Sequence, residues 1–249
     1  MAGAMTKLSV NVNKVATVRN TRPNLDIPSV LKCSRICLEA GAHGITVHPR
    51  PDQRHIKPRD VDDIVELMKS FPQAELNIEG NPFLDYMPLV EKARPAQATL
   101  VPDQTNALTS DHGWDLEKDL ERVKPLVREL KAMGCRVSLF MDPVPDAMAR
   151  VRDAGADRVE LYTEPYAAAY SRGDAHAADA YRAAAARALE SGLEINAGHD
   201  LNLANLPAFI QSVPGVAEVS IGHALIGDAL EFGLAETVKR YLAASHKTV

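Results

Sequence analysis

Short apolar segments alternate with helical patterns along almost the whole chain, and this alternation restricts the possible folds most strongly. Each apolar segment is long enough for one buried strand, and apolar residues recur at helical spacing between them. The junctions EAGAHGITVH and DAGADRVELY repeat the same helix end, glycine turn and strand. The predicted strands are Leu8–Val12, Gly44–Val47, Glu75–Glu79, Gln97–Leu100, Arg136–Phe140, Arg158–Tyr162, Glu194–Ala197 and Glu218–Ile221. The predicted helices are Pro28–Ala40, Pro58–Phe71, Pro82–Ala93, Leu116–Met133, Pro145–Ala154, Ala175–Ser191, Leu203–Ser212 and Ile226–Ala244.

Eight strand–helix units in 249 residues, with no linker and no change in composition, predict a closed parallel barrel. We expect residues 1–249 to form one domain, an α/β fold of the (β/α)8 TIM-barrel type with extra helices. One extra helix is expected in the Ala-rich segment Tyr166–Leu189. Residues 1–6 are expected to be a disordered or artificially added start. An open, doubly wound sheet is the alternative, although it usually has fewer strands and the sequence contains no GxGxxG loop.

Alternation within the strands predicts a polar barrel interior. Barrel interiors are ordinarily filled by Val, Ile and Leu. Each buried polar group without a partner costs about 1–3 kcal/mol, so we expect a hydrogen-bonded network with water or substrate inside the barrel. The side chains predicted to point inward are Asn11, Asn13, Thr46, His48, Asn77, Glu79, Gln97, Thr99, Ser138, Glu160, Tyr162, Asn196 and Ser220.

Ionisable residues collect at the ends of the predicted strands, where barrels carry their active sites. Burial can move the pKa values of such groups towards neutrality and make them acids and bases. Any one of these residues alone is more often structural. Two histidines and a glutamate would also suffice for zinc, although no HxH or HExxH pair provides preset ligands. The strand-end candidates are His48, Glu79, Glu160, His199 and His223.

Two features predict an anionic substrate. The loop after the second strand carries Arg50, Arg54 and His55. The loops NAGHDL and SIGHALIG place glycine beside histidine after the last two strands, where barrels commonly bind phosphate. Asp200 is discordant, because its carboxylate would repel a phosphate unless the side chain turns away.

Composition excludes other classes of partner. The net charge is −5 and no Lys/Arg tract is present, which argues against nucleic acid. No apolar run approaches the roughly 18 residues of a membrane span. The odd count of three cysteines, without CxxC spacing, favours free thiols in a reducing compartment. We therefore expect a cytoplasmic protein without a membrane or nucleic-acid partner.

Motifs in one order along nearly the whole chain resemble the pyridoxine 5′-phosphate synthase family. The resemblance implies a (β/α)8 barrel with extra helices that assembles as a homo-octamer. It also implies condensation of 1-deoxy-D-xylulose 5-phosphate with 3-amino-2-oxopropyl phosphate, giving pyridoxine 5′-phosphate, inorganic phosphate and water. It implies no metal or organic cofactor. The motifs are NVNKVATVRNTR, GITVHPRPDQRHI, LNIEG, LVPD, SLFMD, VELYTEPYA, INAGHDL and SIGHALIG.

The resemblance also assigns roles to individual residues. His48 and Glu79 become proton acceptors, His199 the proton donor, and Glu160 a further carboxylate in the proton relay. The resemblance assigns binding of the deoxyxylulose phosphate to Arg50, His55 and Thr109. It assigns binding of the aminoketone phosphate to Asn11, Arg22, Gly222 and His223.

The sequence departs from the family pattern at two places. Many members read Asn-x-Asp-His where this chain reads Asn11-Val12-Asn13-Lys14. Asn13 and Lys14 are expected to contact the ketose hydroxyls. Many members have glycine at Asp200, whose backbone N–H can still serve the phosphate. Two other functions stay open: a different phosphosugar barrel such as an epimerase or aldolase, and a non-catalytic binder of phosphorylated metabolites. The aldolase would need an inward lysine, for which Lys14 is the nearest candidate.

Overall fold

Eight parallel strands close into a barrel in the computed structural model, which describes residues 5–22, 24–105, 107 and 109–246. Each strand pairs with the next, and β1 pairs with β8 to complete the circle. The predicted (β/α)8 barrel is therefore confirmed. The strands are β1 (Lys7–Asn11), β2 (Gly44–Val47), β3 (Glu75–Gly80), β4 (Gln97–Leu100), β5 (Arg136–Met141), β6 (Arg158–Leu161), β7 (Glu194–Ala197) and β8 (Val216–Ile221).

Helices surround the barrel, and the extra ones lie beside the strand ends. Helix α1 was missed by the sequence prediction because it lacks an apolar stripe, and Arg19 is among its buried residues. The last predicted helix is two helices, separated at Gly233, whose φ of +79° favours glycine. Within the described ranges the helices are α1 (Asn13–Asn20), α2 (Val30–Glu39), α3 (Pro58–Met68), α4 (Met87–Ala93), α5 (Leu120–Ala132), α6 (Met148–Asp153), α7 (Glu164–Ser171), α8 (Asp179–Glu190), α9 (Leu206–Ser212), α10 (His223–Phe232) and α11 (Leu234–Ser245), with a 3₁₀ turn at Pro145–Ala147.

The barrel interior is polar, as the strand alternation predicts. The hydroxyls of Ser9 and Thr46 are 2.7 Å apart, and Thr99 donates a 2.9 Å hydrogen bond to Asn77. The opposite strand faces carry fully buried apolar side chains that pack against the helices, among them Val10. Part of the polar interior has no protein partner among the described residues. Buried side-chain oxygen or nitrogen atoms of this kind belong to Ser138, Glu160, Asn196 and Ser220.

A network of charged side chains joins the amino-terminal ends of the strands. Arg158 donates to Glu218 at 3.2 Å, to Gln97 at 2.9 Å and to Glu194 at 2.7 Å. Glu218 is buried, whereas the side chain of Glu194 is 59% exposed. The two ion pairs of Arg158 should therefore contribute very differently to stability, because solvent screens only the second.

Substitution of Arg158 tests this difference. We expect Arg158→Met to lower the free energy of unfolding by about 3–5 kcal/mol, because it leaves the Glu218 carboxyl buried without its partner. Glu194→Gln removes only the exposed pair and should cost less than about 1 kcal/mol. Urea denaturation of both variants measures the two values. If Arg158→Met and Glu194→Gln lowered the free energy of unfolding equally, burial of Glu218 would not be the reason why its ion pair with Arg158 stabilises the protein.

The ends of the chain bear on two further predictions. Residues 1–4 lie outside the described residues, so most of the proposed disordered or added start does as well. Thr6 is already part of the fold, since its buried hydroxyl donates to the Val216 carbonyl at 2.8 Å. Among the helices that the structure describes, none has both the length and the apolar character needed to cross a bilayer.

Candidate active site

The carboxyl-terminal ends of the strands surround a cleft of about 280 Å³. Twelve of the fourteen predicted site residues line it, and they come from the ends of six strands and the segments that follow them. Ser110 and Ser220 line it as well. The predicted residues in the lining are Asn11, Asn13, Lys14, His48, Arg50, His55, Glu79, Thr109, His199, Asp200, Gly222 and His223.

His48 occupies the end of β2 and lies between two carboxyl groups. Its Nδ1 is 3.6 Å from Oε2 of Glu79, and its Nε2 is 3.9 Å from Oδ2 of Asp103. Its backbone N–H donates a 2.9 Å hydrogen bond to Oδ1 of Asn13. Asn13, which was predicted to continue the inward alternation just past the first strand, is instead the first residue of α1, and its own N–H donates to Oδ1 of Asn11. The two asparagines thus connect β1 and α1 to the backbone of His48.

Arg50 and Arg54 fasten the loop after β4 to the loop after β2. Both guanidinium groups donate to the carbonyl of Ala107, at 3.0 and 2.9 Å, and Arg54 also donates to the carbonyl of Thr105. Arg50 is buried and forms a 2.5 Å ion pair with Asp103. These contacts hold the segment that carries Thr109 next to the cleft.

A second acid–base pair lies across the cleft. Nδ1 of His199 is 3.9 Å from Oε1 of Glu160, which is buried beneath it in the barrel interior. The hydroxyl of Thr163 donates to the carbonyl of His199 at 2.7 Å. The ring of Phe140 packs against the imidazole, with 5.0 Å between centroids. His199 is therefore held on its backbone and ring sides while one nitrogen faces a carboxyl group.

Burial favours the uncharged forms of these groups. It lowers the pKa of His48 well below its usual value, helped by the positive charge of Arg50, and it also lowers the pKa of His199. Burial, with the neighbouring Glu160 carboxyl, raises the pKa of Glu79 well above its usual value. Burial and Glu218 raise the pKa of Glu160 to about 8. At neutral pH the two imidazoles can accept protons while the carboxyl groups hold them.

The two glycine loops let the backbone approach closely at the ends of β7 and β8. A Cβ at Gly198 would lie 2.2 Å from the Ser220 carbonyl oxygen, and one at Gly222 would lie 3.1 Å from Asn11. Gly222 precedes α10, and no side chain caps that helix. Asp200 has a φ of +63°, in the left-handed region that favours glycine. Free N–H groups at this helix start suit a phosphate, so the predicted phosphate role of the loops fits the geometry.

Two predicted residues do not line the cleft. Glu160 lies below the cleft, and its carboxyl group faces His199, which lines the cleft. Arg22 is exposed, after the end of α1, and its predicted phosphate contact stays a prediction. Conversely, the sequence reasoning missed Asp103, although this residue ends the LVPD motif and is buried beside His48. Within the described ranges, no group of three or more His, Cys, Asp or Glu side chains is arranged to hold a metal ion.

The fold is shared with barrel enzymes of remote sequence. An open form of tryptophan synthase from M. tuberculosis aligns with a TM-score of 0.65 over 97% of this chain and 92% of that one. The two sequences are 14% identical, so the likeness extends to the fold alone.

Sequence relatives cover nearly the full chain. A pyridoxine 5′-phosphate synthase from Albidiferax ferrireducens is 59% identical over 243 residues, which are 95% of this chain and 96% of the relative. One from Mesorhizobium japonicum is 52% identical and covers 96% and 98% of the two chains. The family model described as pyridoxal phosphate biosynthesis protein PdxJ matches residues 8–247. With a matching family model over nearly its whole length and relatives of this similarity, the chain belongs to the PdxJ family of pyridoxal phosphate biosynthesis proteins.

Proposed function

We propose that this chain is an enzyme that condenses 1-deoxy-D-xylulose 5-phosphate with 3-amino-2-oxopropyl phosphate. The products are pyridoxine 5′-phosphate, inorganic phosphate and water. The observation that carries this proposal is the convergence of His48, Glu79 and His199 on one cleft in a member of this family. A non-catalytic binder of phosphorylated metabolites would need the cationic groups of the cleft but not two buried acid–base pairs.

The first acid–base pair suits the removal of protons from substrate. His48 is neutral at physiological pH, because burial and Arg50 lower its pKa, and it is therefore ready to accept a proton. Burial raises the pKa of Glu79, so this carboxyl group holds a proton before substrate binds. The cationic amine of the aminoketone would favour the ionised form of Glu79 and so prepare this carboxylate as the second acceptor.

The second pair suits the return of protons to leaving groups. A neutral imidazole is a weak acid, so His199 needs a source of protons to act as a repeated donor. Glu160 is such a source, since its pKa of about 8 keeps it protonated near neutrality and its carboxyl faces Nδ1 of His199 at 3.9 Å. Imine formation, phosphate elimination and dehydrating ring closure each require a proton taken from one atom and given to another.

Two anion sites correspond to the two phosphorylated substrates. Arg50, His55 and Thr109 would hold the ketose phosphate at the loops after β2 and β4. The start of α10, with Gly222 and His223 beside Asn11, would hold the aminoketone phosphate, and Arg22 is assigned to the same group by the family resemblance. Asn13, Lys14 and the backbone of Asp200 complete the substrate contacts. Proton transfers account for every step named, so the proposal includes no metal or organic cofactor.

The working form that we propose is a cytoplasmic homo-octamer of single-domain subunits, as the family resemblance implies. Exposed apolar side chains are available for subunit contacts. Leu25 and Ile27 are more than 60% exposed in the loop before α2, and Leu230 is 87% exposed on α10. The proposal includes neither a nucleic-acid nor a membrane partner.

One incubation tests the proposed reaction. The protein is treated with a chelator and incubated anaerobically with both phosphorylated substrates, while inorganic phosphate and the pyridine chromophore are followed together. We expect stoichiometric appearance of both products. If neither appears, and added zinc or manganese restores nothing, the catalytic proposal fails and the binder of phosphorylated metabolites takes its place.

A further inference from the structure

Asp103 is a buried carboxylate at the edge of the cleft to which the family roles above assign nothing. It follows β4, and only 3% of its surface is exposed. The side-chain amide of Asn81 donates to its backbone carbonyl at 2.9 Å. This contact joins the loops after β3 and β4, so the position of Asp103 is fixed independently of its own side chain.

The contacts of its carboxylate are unequally distributed. Oδ2 accepts a 2.5 Å hydrogen bond from Nη2 of Arg50 and a 2.7 Å hydrogen bond from the hydroxyl of Ser110. Oδ1 is buried and has no hydrogen-bond partner among the described residues. An ionised carboxylate can accept about four hydrogen bonds, so this one retains capacity on the side away from Arg50.

The same carboxylate faces the catalytic histidine. Nε2 of His48 lies 3.9 Å from Oδ2 of Asp103, while the opposite ring nitrogen faces Glu79. The imidazole is therefore placed between two carboxyl groups that differ in their other contacts. Of the two carboxyl groups, that of Asp103 is the one that forms an ion pair with the guanidinium group of Arg50.

We propose that Asp103 is a positioning residue that orients the Nε2 side of His48 and restrains Arg50 until the substrate phosphate arrives. This rests on the proposed function, because Arg50 is taken to meet the ketose phosphate. Asp103 and the phosphate then compete for one guanidinium group. Asp103 weakens phosphate binding in this arrangement, but it holds Arg50 and His48 in the positions that the chemical steps require.

This role predicts that loss of the Asp103 charge lowers kcat without raising KM. In Asp103→Asn the charge that competes with phosphate is absent, so KM for the ketose phosphate should be unchanged or lower. Orientation of His48 is lost, so kcat should fall about tenfold or more. Removal of a negative charge also lowers the pKa values of Glu79 and His199, both of which Asp103 raises. The acidic limb of the kcat–pH profile should therefore move to lower pH.

The experiment compares the steady-state kinetics of the wild type and three variants over a range of pH. Asp103→Glu keeps the charge, so its pH profile should match that of the wild type. Asp157→Asn is the control for a purely structural loss. Asp157 accepts a 2.9 Å hydrogen bond from the backbone of Val137 at the opposite end of the barrel, so this variant should lose thermal stability but keep KM and the pH profile. If Asp103→Asn does not fold, Asp103→Ser carries the same expectations.

The outcomes separate the two proposals. If the wild type forms no product, the proposed function fails and the role of Asp103 fails with it. If the wild type is active, a raised KM for the ketose phosphate in Asp103→Asn would overturn the competition between Asp103 and phosphate. If kcat falls in Asp103→Asn while its pH profile stays where that of the wild type lies, the loss is purely structural and the positioning role is overturned.

Discussion

Glu79→Gln should lower kcat by about 10³-fold, the scale of a lost general acid–base group, while the substrates still bind. Glutamine keeps the shape of the side chain but can neither accept nor release a proton. The phosphate contacts lie on other residues, chiefly on the loops after β2 and β4 and at the start of α10. Equilibrium binding of each phosphorylated substrate should therefore stay close to that of the wild type.

His48→Ala should produce a loss of the same size, because the imidazole and the Glu79 carboxyl are 3.6 Å apart and both serve as proton acceptors in the proposed mechanism. The double variant should be little worse than either single variant, since residues that act as a unit are not additive. Single-turnover product formation, with binding measured by calorimetry, tests both statements. Wild-type turnover in both single variants would remove this pair from the mechanism.

Glu160→Gln should make the protein less sensitive to alkaline pH. The wild-type carboxyl has a pKa of about 8, against an ordinary value of 4.5, because it is buried and faces Glu218. Between these values the folded protein holds a proton that the unfolded chain has lost. The free energy of unfolding therefore falls as pH rises through this window, by up to about 1.4 kcal/mol per pH unit for this one proton.

Glutamine does not titrate, so in the variant this group adds nothing to the pH dependence of the free energy of unfolding. Between pH 5 and pH 9 the free energy of unfolding of Glu160→Gln should rise, relative to that of the wild type, by on the order of a few kcal/mol. Urea denaturation at several pH values measures the difference. Glu190→Gln, which removes an exposed carboxylate on α8, is the control. A parallel pH dependence in the Glu160 variant and the wild type would show that this carboxyl does not hold its proton in the folded protein.

Much of the fold and of the candidate site was predictable because both follow from strand periodicity. Alternation within each strand separates the inward from the outward side chains, and the barrel brings the inward strand ends together. This is why His48 and Glu79 were found, whereas His199 was found because it lies in the loop directly after the seventh strand. Helix α1 was missed because hydrophobic periodicity does not register a buried ion pair. Its Arg19 forms hydrogen bonds with both carboxylate oxygens of Asp60, on α3.

The remaining features of the site depend on contacts between distant segments. In the sequence, nothing distinguishes Asp103 from other acidic residues in loops. Its significance comes from Arg50, which is 53 positions away in the chain. Asn13 was predicted to point inward because the strand alternation was continued past Asn11, where the chain already turns into α1. Such contacts follow from how loops cross in space, which periodicity does not report.

Burial of the proton donor His199 has a thermodynamic consequence for the binding of phosphate esters. Burial lowers the pKa of His199 and so favours its neutral imidazole. A dianionic phosphate ester bound beside it opposes that preference, because the negative charge stabilises the imidazolium that the donor role requires. Substrate entry is then linked to proton uptake from solvent, and the apparent affinity decreases as pH rises. The protein thus takes up from its surroundings the protons that the later steps deliver to departing phosphate and water.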